Sequence, residues 1–184
     1  GISLAKMIRE DKVHAISCTA ANFEEDIFNL VAHNDYAIVA DWRSLSTEDE
    51  VKLRDQGFNR VTDTCIPETT IRHLEHNLLE FWEDADKKGE SYFSTEFFFR
   101  LFDEGRLEQH YQIPPEHSWV KAAWEKKIPV YTPGFEDSTL GNIYSSHVIT
   151  GEIKNVHTVR TGIEYMIELA RWYQSECYRR SIGF

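Results

Sequence analysis

The chain has 184 residues, of which 41% are hydrophobic, and its net charge at pH 7 is −11. Its length suffices to bury one sizeable core, and its composition shows no break that indicates a second domain. An acidic protein repels the phosphate backbone of nucleic acids and attracts small cations. The charge therefore argues against a nucleic-acid partner and favours a polyamine or a basic protein.

The apolar runs and the cysteines limit where in the cell the protein is expected. No apolar run reaches the roughly 18 residues that a membrane span needs, and the first residues lack a cleavage-site pattern. We therefore expect no membrane association. The cysteines Cys18, Cys65 and Cys177 lie far apart and lack C-x-x-C spacing. This pattern indicates reduced thiols in a cytoplasmic protein rather than a disulfide framework or a zinc site.

The first half of the chain alternates strand-like and helix-like segments. A β-prone run at 12–19 ends in small and hydroxyl residues, and apolar residues at helical spacing follow it in 22–33. Acidic residues after a hydroxyl N-cap predict a short helix in 45–57 that stops at Gly57. The segment 67–89 begins with proline, ends with glycine and repeats apolar residues on one face, which predicts a long helix.

The second half continues this alternation. It predicts helices at 94–105 and 116–127, a strand at 128–131, helices at 138–151 and 158–176, and the start of a strand at 181–184. The phenylalanines of the first of these helices are expected in the core rather than in a base-stacking surface. Strands that alternate with helices predict an α/β fold, with a parallel sheet covered by helices on both faces.

One stretch of polar residues follows the first predicted strand, where ligands of such sheets bind. Thr19, Ala20 and Ala21 are small enough for a ligand to approach the backbone closely, and three acids at 24–26 are expected in the first helical turn. The acids could equally be ordinary capping residues, because acids favour helix N-termini.

A second stretch follows the strand at 128–131. The chain runs through Pro133 and Gly134 to Asp137, and a helix is predicted to begin next. Asp137 and Thr139 could equally be an N-cap and its neighbour. We expect the two stretches to lie at neighbouring strand ends and to face one cleft.

Other candidate sites are weaker. His73 and His76 are three residues apart on the long helix, but no third ligand has suitable spacing, so no metal site is predicted. The acids near Cys18 are expected to raise the pKa of its thiol, which favours a packing role over a reactive one. Glycine patterns of a P-loop or a G-x-G-x-x-G turn are absent from the sequence.

The chain closely resembles the deoxyhypusine synthase family, especially its prokaryotic, synthase-like branch. The resemblance runs nearly end to end, in order and at similar spacing, through the blocks "SCTAANFEEDIFNLVAH", "GFNRVTDTCIPE", "SWVKAAWEKKIPVYTPGFEDSTLGNI" and "GIEYMIELARWY". It implies a Rossmann-like, doubly wound domain that binds NAD and assembles as a homotetramer, with active sites at dimer interfaces.

The resemblance also implies a reaction. Enzymes of this family oxidise spermidine with NAD, release diaminopropane, hold the aminobutyl group on a lysine as an imine, and pass it to an acceptor amine. The acceptor is a lysine of a translation factor in deoxyhypusine synthase and putrescine in the homospermidine synthase relatives. The protein's task is to hold the cation against the nicotinamide.

Site residues carry over position by position from the resemblance. The family's NAD-contacting Thr-Ala-Gly segment matches residues 19–21. The acid pair that contacts polyamine matches Glu24 and Glu25, with Glu25 also near the cofactor. Asp137 matches the acid that binds NAD beyond the later strand, where a carboxylate suits ribose hydroxyls.

The chain departs from the family in several places. Asn142 stands where the eukaryotic enzymes have a spermidine-binding aspartate, so one charge contact of the substrate site is missing, and Ala21 replaces a glycine. The family's imine-forming lysine and glycine-rich NAD loop match positions beyond Phe184, and another NAD loop precedes Gly1. We therefore expect residues 1–184 to form a single domain that is an internal fragment of a longer NAD-binding domain.

The expected function is an NAD-dependent aminobutyl transfer, with spermidine or a related polyamine as donor and a protein lysine or a small amine as acceptor. The alternatives are a homospermidine synthase-type enzyme that uses putrescine, and a non-catalytic partner subunit that keeps the fold. A flavodoxin-like binding domain without a polyamine role is a third reading that fold analogy alone leaves open.

Overall fold

The computed structural model of the chain describes the backbone of residues 1–180 and the side chains of residues 1–176. The structure is α/β and mostly helical. Its α-helices are α1 (Ile2–Arg9), α2 (Ala20–Ala32), α3 (Thr47–Asp55), α4 (Glu68–Lys88), α5 (Ser94–Asp103), α6 (Trp119–Lys126), α7 (Thr139–Thr150) and α8 (Gly162–Arg180). Its strands are β1 (Ile16–Ser17), β2 (Ala37–Ile38), β3 (Phe58–Val61), β4 (Thr64–Pro67) and β5 (Val130–Tyr131).

The strands pair into two small sheets within the described residues. β1 and β5 are parallel, with Ile16 opposite Val130 and Ser17 opposite Tyr131. The other sheet is antiparallel, with β4 between β2 and β3. The predicted pairing of two strands that are far apart in sequence is therefore present.

The α/β class is confirmed, but the doubly wound parallel sheet is not clearly seen. Both predicted strands form, although each is only two residues long. In the described part of the chain, parallel pairing is otherwise limited to a bridge between Tyr92 and Val159. The predicted strand at 181–184 lies outside the described residues. A doubly wound sheet needs several parallel strands side by side with helices on both faces, and one pair does not supply it.

The long predicted helix is confirmed as α4. It ends at Gly89, which adopts the left-handed conformation with φ of 70° and donates its N–H to the carbonyls of the last turn. The apolar residues that repeat on one face are all buried, namely Ile71, Leu74, Leu78, Phe81 and Trp82. No helix in residues 1–180 is both long and apolar enough to cross a membrane.

The antiparallel sheet was not predicted from the sequence. β3 and β4 are joined by a two-residue loop of Thr62 and Asp63, and Val61 pairs with Thr64 across it. Thr62 has a φ of 56°, a left-handed conformation typical of short hairpin loops but uncommon for threonine. The loop lacks the glycine or asparagine that usually marks such a turn, so the hairpin has only a weak signature in the sequence.

Aromatic side chains from α2, α5 and α6 meet in the core. The ring centroid of Phe23 lies 5.2 Å from that of Phe98 and 5.9 Å from that of Trp119, in edge-on geometry. Phe97 and Phe102 are buried as well, as predicted for the phenylalanines of α5. This packing fixes α2, whose first residues belong to the predicted ligand site.

Candidate functional site

The pairing of β1 with β5 brings the two predicted site segments together. The N–H of Cys18 donates to the carbonyl of Tyr131 at 3.0 Å, immediately before both segments begin. Because the two strands are parallel neighbours, the turns that follow them leave the same edge of the sheet. The prediction that the two segments follow neighbouring strand ends is confirmed, and the prediction that they face one cleft stays a prediction.

The turn after β1 leads directly into α2. Thr19 is the N-cap, and its Oγ1 accepts a hydrogen bond from the N–H of Asn22 at 3.3 Å. Thr19 and Ala21 are exposed, whereas the side chain of Ala20 is buried. The turn therefore presents the start of a helix, with its backbone N–H groups and partial positive charge, next to small side chains.

The helix α2 begins two residues earlier than its apolar pattern indicates. It starts at Ala20, so the acids at 24–26 lie in the second turn rather than in the first. They are therefore not residues that stabilise the N-terminus of their own helix. Each of the three carboxylates has its own environment, which the sequence does not reveal.

Glu24 is buried, with 3% of its surface exposed. Its Oε1 accepts a hydrogen bond from the N–H of Thr139 at 2.8 Å, and its Oε2 accepts one from the N–H of Leu140 at 3.1 Å. Burial raises the pKa of the Glu24 carboxyl, and these hydrogen bonds oppose that effect. Glu24 thus joins α2 to the first turn of α7, and the two predicted site segments are in direct contact through it.

Asp26 makes the same kind of contact with a different helix. Its Oδ2 accepts a hydrogen bond from the hydroxyl of Ser118 at 2.6 Å and from the N–H of Val120 at 3.1 Å, at the start of α6. Burial raises the pKa of the Asp26 carboxyl, against these hydrogen bonds. The sequence gives Asp26 no role beyond its place among the three acids, and the structure gives it a capping role on α6.

Glu25 has the fewest hydrogen-bond partners of the three acids. It is half-buried, and its Oε1 accepts a hydrogen bond from the hydroxyl of Tyr36 at 3.3 Å. Burial raises the pKa of the Glu25 carboxyl. Ala21 lies four residues earlier on α2, so the two residues share a helix face next to the turn after β1. This placement keeps Glu25 close to the predicted cofactor segment.

The turn after β5 ends at the N-cap of α7. That N-cap is Ser138, whose Oγ accepts a hydrogen bond from the N–H of Gly141 at 3.1 Å. Neither Asp137 nor Thr139 is the N-cap. Asp137 is exposed, so its carboxylate is open to a ligand.

Asn142 lies on the first turn of α7. Its Nδ2 donates to the carbonyl of Ser138 at 2.8 Å and more weakly to that of Glu136 at 3.4 Å. The amide thus ties α7 to its own preceding turn, and the residue is exposed. This contact requires a donor, which an aspartate at the same position would lack.

Glu136 is a second acid in the turn after β5, and the family resemblance assigns it no role. It is exposed, and its Oε1 accepts a weak hydrogen bond from the N–H of Gly162 at 3.4 Å. A cavity of about 380 Å³ borders this turn, lined by Pro133, Glu136, Thr161, Gly162, Ile163 and Met166. The place of Glu136 beside Asp137 in the sequence is the signal that could have identified Glu136 as a site residue.

The residues that remain accessible to a ligand are of the chemical types that bind a dinucleotide. The N-terminus of α7 is already occupied by Glu24, whereas α2 begins with the exposed Thr19 and Ala21. A helix start of this kind suits a pyrophosphate, and the exposed carboxylate of Asp137 suits ribose hydroxyls. The structure thus places an open helix start and an exposed carboxylate at adjacent strand ends.

The weaker candidates, His73, His76 and Cys18, have the following surroundings in the structure. Within the described side chains, no group of three or more His, Cys, Asp or Glu is arranged to hold a metal ion. His73 is half-buried, and its ring packs against that of His110 at 4.4 Å between centroids. Burial raises the pKa of the Cys18 thiol to about 11, so the thiol is unreactive at neutral pH, although burial and not the neighbouring acids is the cause.

Comparison with known proteins identifies the family. A sequence model of the family described as deoxyhypusine synthase matches residues 2–170. Similar proteins include a deoxyhypusine synthase of Encephalitozoon cuniculi, 29% identical over 78% of this chain and 40% of the relative, and a probable deoxyhypusine synthase of Pyrococcus furiosus, 25% identical over 76% and 40%. A deoxyhypusine synthase-like protein of Caulobacter vibrioides is 26% identical over 73% and 34%. The chain spans well under half the length of these relatives, and it belongs to the deoxyhypusine synthase family.

Proposed function

We propose that the protein containing this chain transfers an aminobutyl group in an NAD-dependent reaction. Spermidine or a related polyamine is the donor, and a protein lysine, as in a translation factor, or a small amine is the acceptor. The proposal is supported by the family match over residues 2–170. The observation that carries it is the parallel pairing of β1 with β5, which sets Thr19 to Ala21 and Asp137 at adjacent strand ends.

The cofactor proposal rests on the residues that the fold leaves accessible. The N–H groups at the start of α2 bind the pyrophosphate, with the small side chains of Ala20 and Ala21 allowing a close approach. The carboxylate of Asp137 accepts hydrogen bonds from ribose hydroxyls. NAD, when bound, supplies the oxidation step of the transfer.

The polyamine proposal rests on carboxylates and amides near that cofactor site. Glu25 pairs with an ammonium group, and Asn142 contributes a neutral contact at the first turn of α7. Glu24, assigned to the polyamine by the resemblance, has both oxygens engaged by backbone N–H groups. The net charge of −11 attracts the polycation from a distance.

Several properties of the whole protein belong to the same proposal. We propose that β1 and β5 are neighbouring strands of a Rossmann-like, doubly wound sheet and that the protein assembles as a homotetramer. The catalytic lysine is contributed from outside residues 1–184, and the protein is located in the cytoplasm. The free thiols of Cys18 and Cys65 agree with a reducing compartment.

A second candidate is a homospermidine synthase-type reaction with putrescine. Asn142 favours it, because one carboxylate fewer favours an amine with fewer positive charges. A non-catalytic partner subunit is a further candidate, and it differs from both enzymes because it transfers no aminobutyl group to any amine.

Calorimetric titration with NAD tests the proposal on the gene product that contains this chain. We expect binding, and we expect Asp137→Ala to weaken it about tenfold to hundredfold through the loss of charge-assisted hydrogen bonds. Asp55→Ala removes an exposed acid at the end of α3 and is the matched control, with unchanged affinity expected. Absence of NAD binding, or equal affinities of wild type and Asp137→Ala, would contradict the assignment.

A further inference from the structure

Two carboxylates of α2 each hold the start of another helix. Glu24 accepts the N–H groups of Thr139 and Leu140 at the start of α7. Asp26 accepts the hydroxyl of Ser118 and the N–H of Val120 at the start of α6. Residues two apart on a helix point in different directions, so the two contacts lie on different sides of α2.

Of these two carboxylate contacts, the Glu24 contact is the one that joins the two segments of the proposed cofactor site, in addition to the pairing of β1 with β5. The turn after β1 leads into α2, which carries Glu24, whereas Asp137 and Asn142 flank the two N–H groups that Glu24 accepts. Breaking the Glu24 contact would therefore leave the pairing of β1 with β5 to hold the two segments, and Asp137 would be fixed less firmly relative to the start of α2. Breaking the Asp26 contact would loosen the start of α6 and leave the two site segments joined.

The geometry also argues against Glu24 as a ligand of an ammonium group. Glu24 is buried, and each of its carboxylate oxygens already accepts a backbone N–H from a helix N-terminus, which attracts a carboxylate. A polyamine would have to displace these donors and leave them unsatisfied in a buried place. Glu25 has no such competition beyond the hydroxyl of Tyr36.

We propose that Glu24 is a positioning residue, which fixes the start of α7 against α2 and so sets Asp137 and Asn142 relative to the cofactor segment, and that it binds no polyamine itself. This inference rests on the proposed function only for the identity of the ligands. The contact of Glu24 with α7 can be measured without any ligand.

Amide hydrogen exchange measures the contact of Glu24 with α7 directly. The N–H groups of Thr139 and Leu140 belong to the first turn of α7 and have no partner within their own helix, so their protection comes from Glu24. In Glu24→Gln, the side-chain NH2 group faces backbone donors, and at least one of the two N–H groups loses its acceptor. We expect these two amides to exchange about tenfold faster or more in Glu24→Gln, and to be unchanged in the control Asp26→Asn.

Ligand binding separates a positioning role from a ligand role. We expect Glu24→Gln to raise the Kd for NAD about tenfold with no polyamine present, because the two cofactor elements are held together less firmly. Asp26→Asn, which also loses a buried cap, is expected to lower the melting temperature but to keep the Kd for NAD. If Glu24 is a polyamine ligand, Glu24→Gln keeps the NAD affinity and the amide exchange of wild type and raises only the KM for polyamine, which would overturn the proposal.

Glu24→Asp keeps the experiment decisive if Glu24→Gln does not fold. It retains the charge but is one methylene shorter, so we expect faster exchange of Thr139 and Leu140 and weaker NAD binding, to a smaller extent than in Glu24→Gln. Wild-type exchange and NAD affinity in Glu24→Asp together with poorer use of polyamine would overturn the proposal. If the wild type binds no NAD, the proposed function fails, and the amide exchange still decides whether Glu24 holds α7.

Discussion

Gly141 packs so closely on Phe135 that a Cβ added to Gly141 would lie 1.8 Å from the backbone carbonyl oxygen of Phe135. The first turn of α7 thus rests directly on the turn that follows β5. Gly162 at the start of α8 makes the same approach to the carbonyl oxygen of Pro133, also at 1.8 Å. The turn that carries Asp137 is therefore held between two helix starts that only glycine permits.

Gly141→Ala is expected to destabilise the protein by about 3 kcal/mol or more, because the new methyl group forces α7 away from a backbone carbonyl that cannot move cheaply. Gly134→Ala is the matched control in the same turn, since nothing lies within 4 Å of an added Cβ and its φ is negative. Chemical denaturation of both variants measures the difference. A change of less than about 1 kcal/mol in Gly141→Ala would show that the turn is not rigid.

The hydroxyl of Tyr165 joins α8 to the start of α5. It accepts the N–H of Thr95 at 3.0 Å and lies 2.8 Å from the hydroxyl of Thr95 and 3.2 Å from that of Ser94, all buried. We expect Tyr165→Phe to cost about 1–3 kcal/mol of the free energy of unfolding, because a buried N–H loses its acceptor. Tyr92→Phe removes an exposed hydroxyl bonded to Glu90 and is the control. Equal free energies of unfolding for the two variants would contradict a structural role of the Tyr165 hydroxyl.

The helices could be predicted from the sequence because their signals are local. Ser46 and Asp49 form a capping box at the start of α3, and Gly89 ends α4, as their residue types indicate. The hairpin of β3 and β4 could not be predicted, because Thr62 adopts a left-handed conformation that its residue type disfavours. Tertiary contacts of the flanking strands, rather than the loop residues, fix this turn.

The position of the site could be predicted from the sequence, but the separate roles of its three acids could not. Three consecutive acids follow the turn after β1, and spacing alone treats them alike. The structure separates them because Glu24 contacts Thr139, 115 residues further along the chain, and Asp26 contacts Val120, 94 residues further along. Such contacts depend on how the helices pack, which no local pattern encodes.

Glu25 gives the proposed site a pH dependence with a defined sign. Burial raises the pKa of its carboxyl above the ordinary value of 4.5, so in the mildly acidic range the folded protein binds more protons than the unfolded chain. Its contribution to stability is therefore fully present below pH 4.5 and is lost as pH rises through the folded pKa. We expect wild type to lose stability over that range relative to Glu25→Gln, measured by denaturation at several pH values. Glu48→Gln, an exposed acid of α3, is expected to follow the wild-type profile.

The same carboxyl couples polyamine binding to proton release. An ammonium group binds the ionised form of Glu25, so affinity for polyamine falls as pH drops through the folded pKa, and binding in that range releases protons. Calorimetry in two buffers of different ionisation heat measures this release. At neutral pH, Glu25→Gln is expected to weaken polyamine use about tenfold to hundredfold. If Glu25→Gln uses polyamine and releases protons as the wild type does, Glu25 does not belong to the polyamine site.

Asn142 provides the test of substrate choice. Its Nδ2 donates to the carbonyl of Ser138, so Asn142→Asp and Asn142→Ala both lose that hydrogen bond, at a cost of about 1 kcal/mol in stability. Only Asn142→Asp adds a negative charge at the first turn of α7. A new carboxylate favours spermidine, with three ammonium groups, over putrescine, with two.

We therefore expect Asn142→Asp to shift the ratio of specificity constants toward spermidine about fivefold or more, equivalent to about 1 kcal/mol, while Asn142→Ala leaves the ratio at the wild-type value. The measurement is kcat/KM with spermidine, putrescine and agmatine for wild type and both variants. The comparison with Asn142→Ala separates the effect of charge from that of the lost hydrogen bond, because both variants lose the hydrogen bond to Ser138. If the two variants show the same preference, the charge at position 142 does not choose the substrate, and the choice lies with carboxylates that this substitution does not touch, such as Glu25 and Glu136.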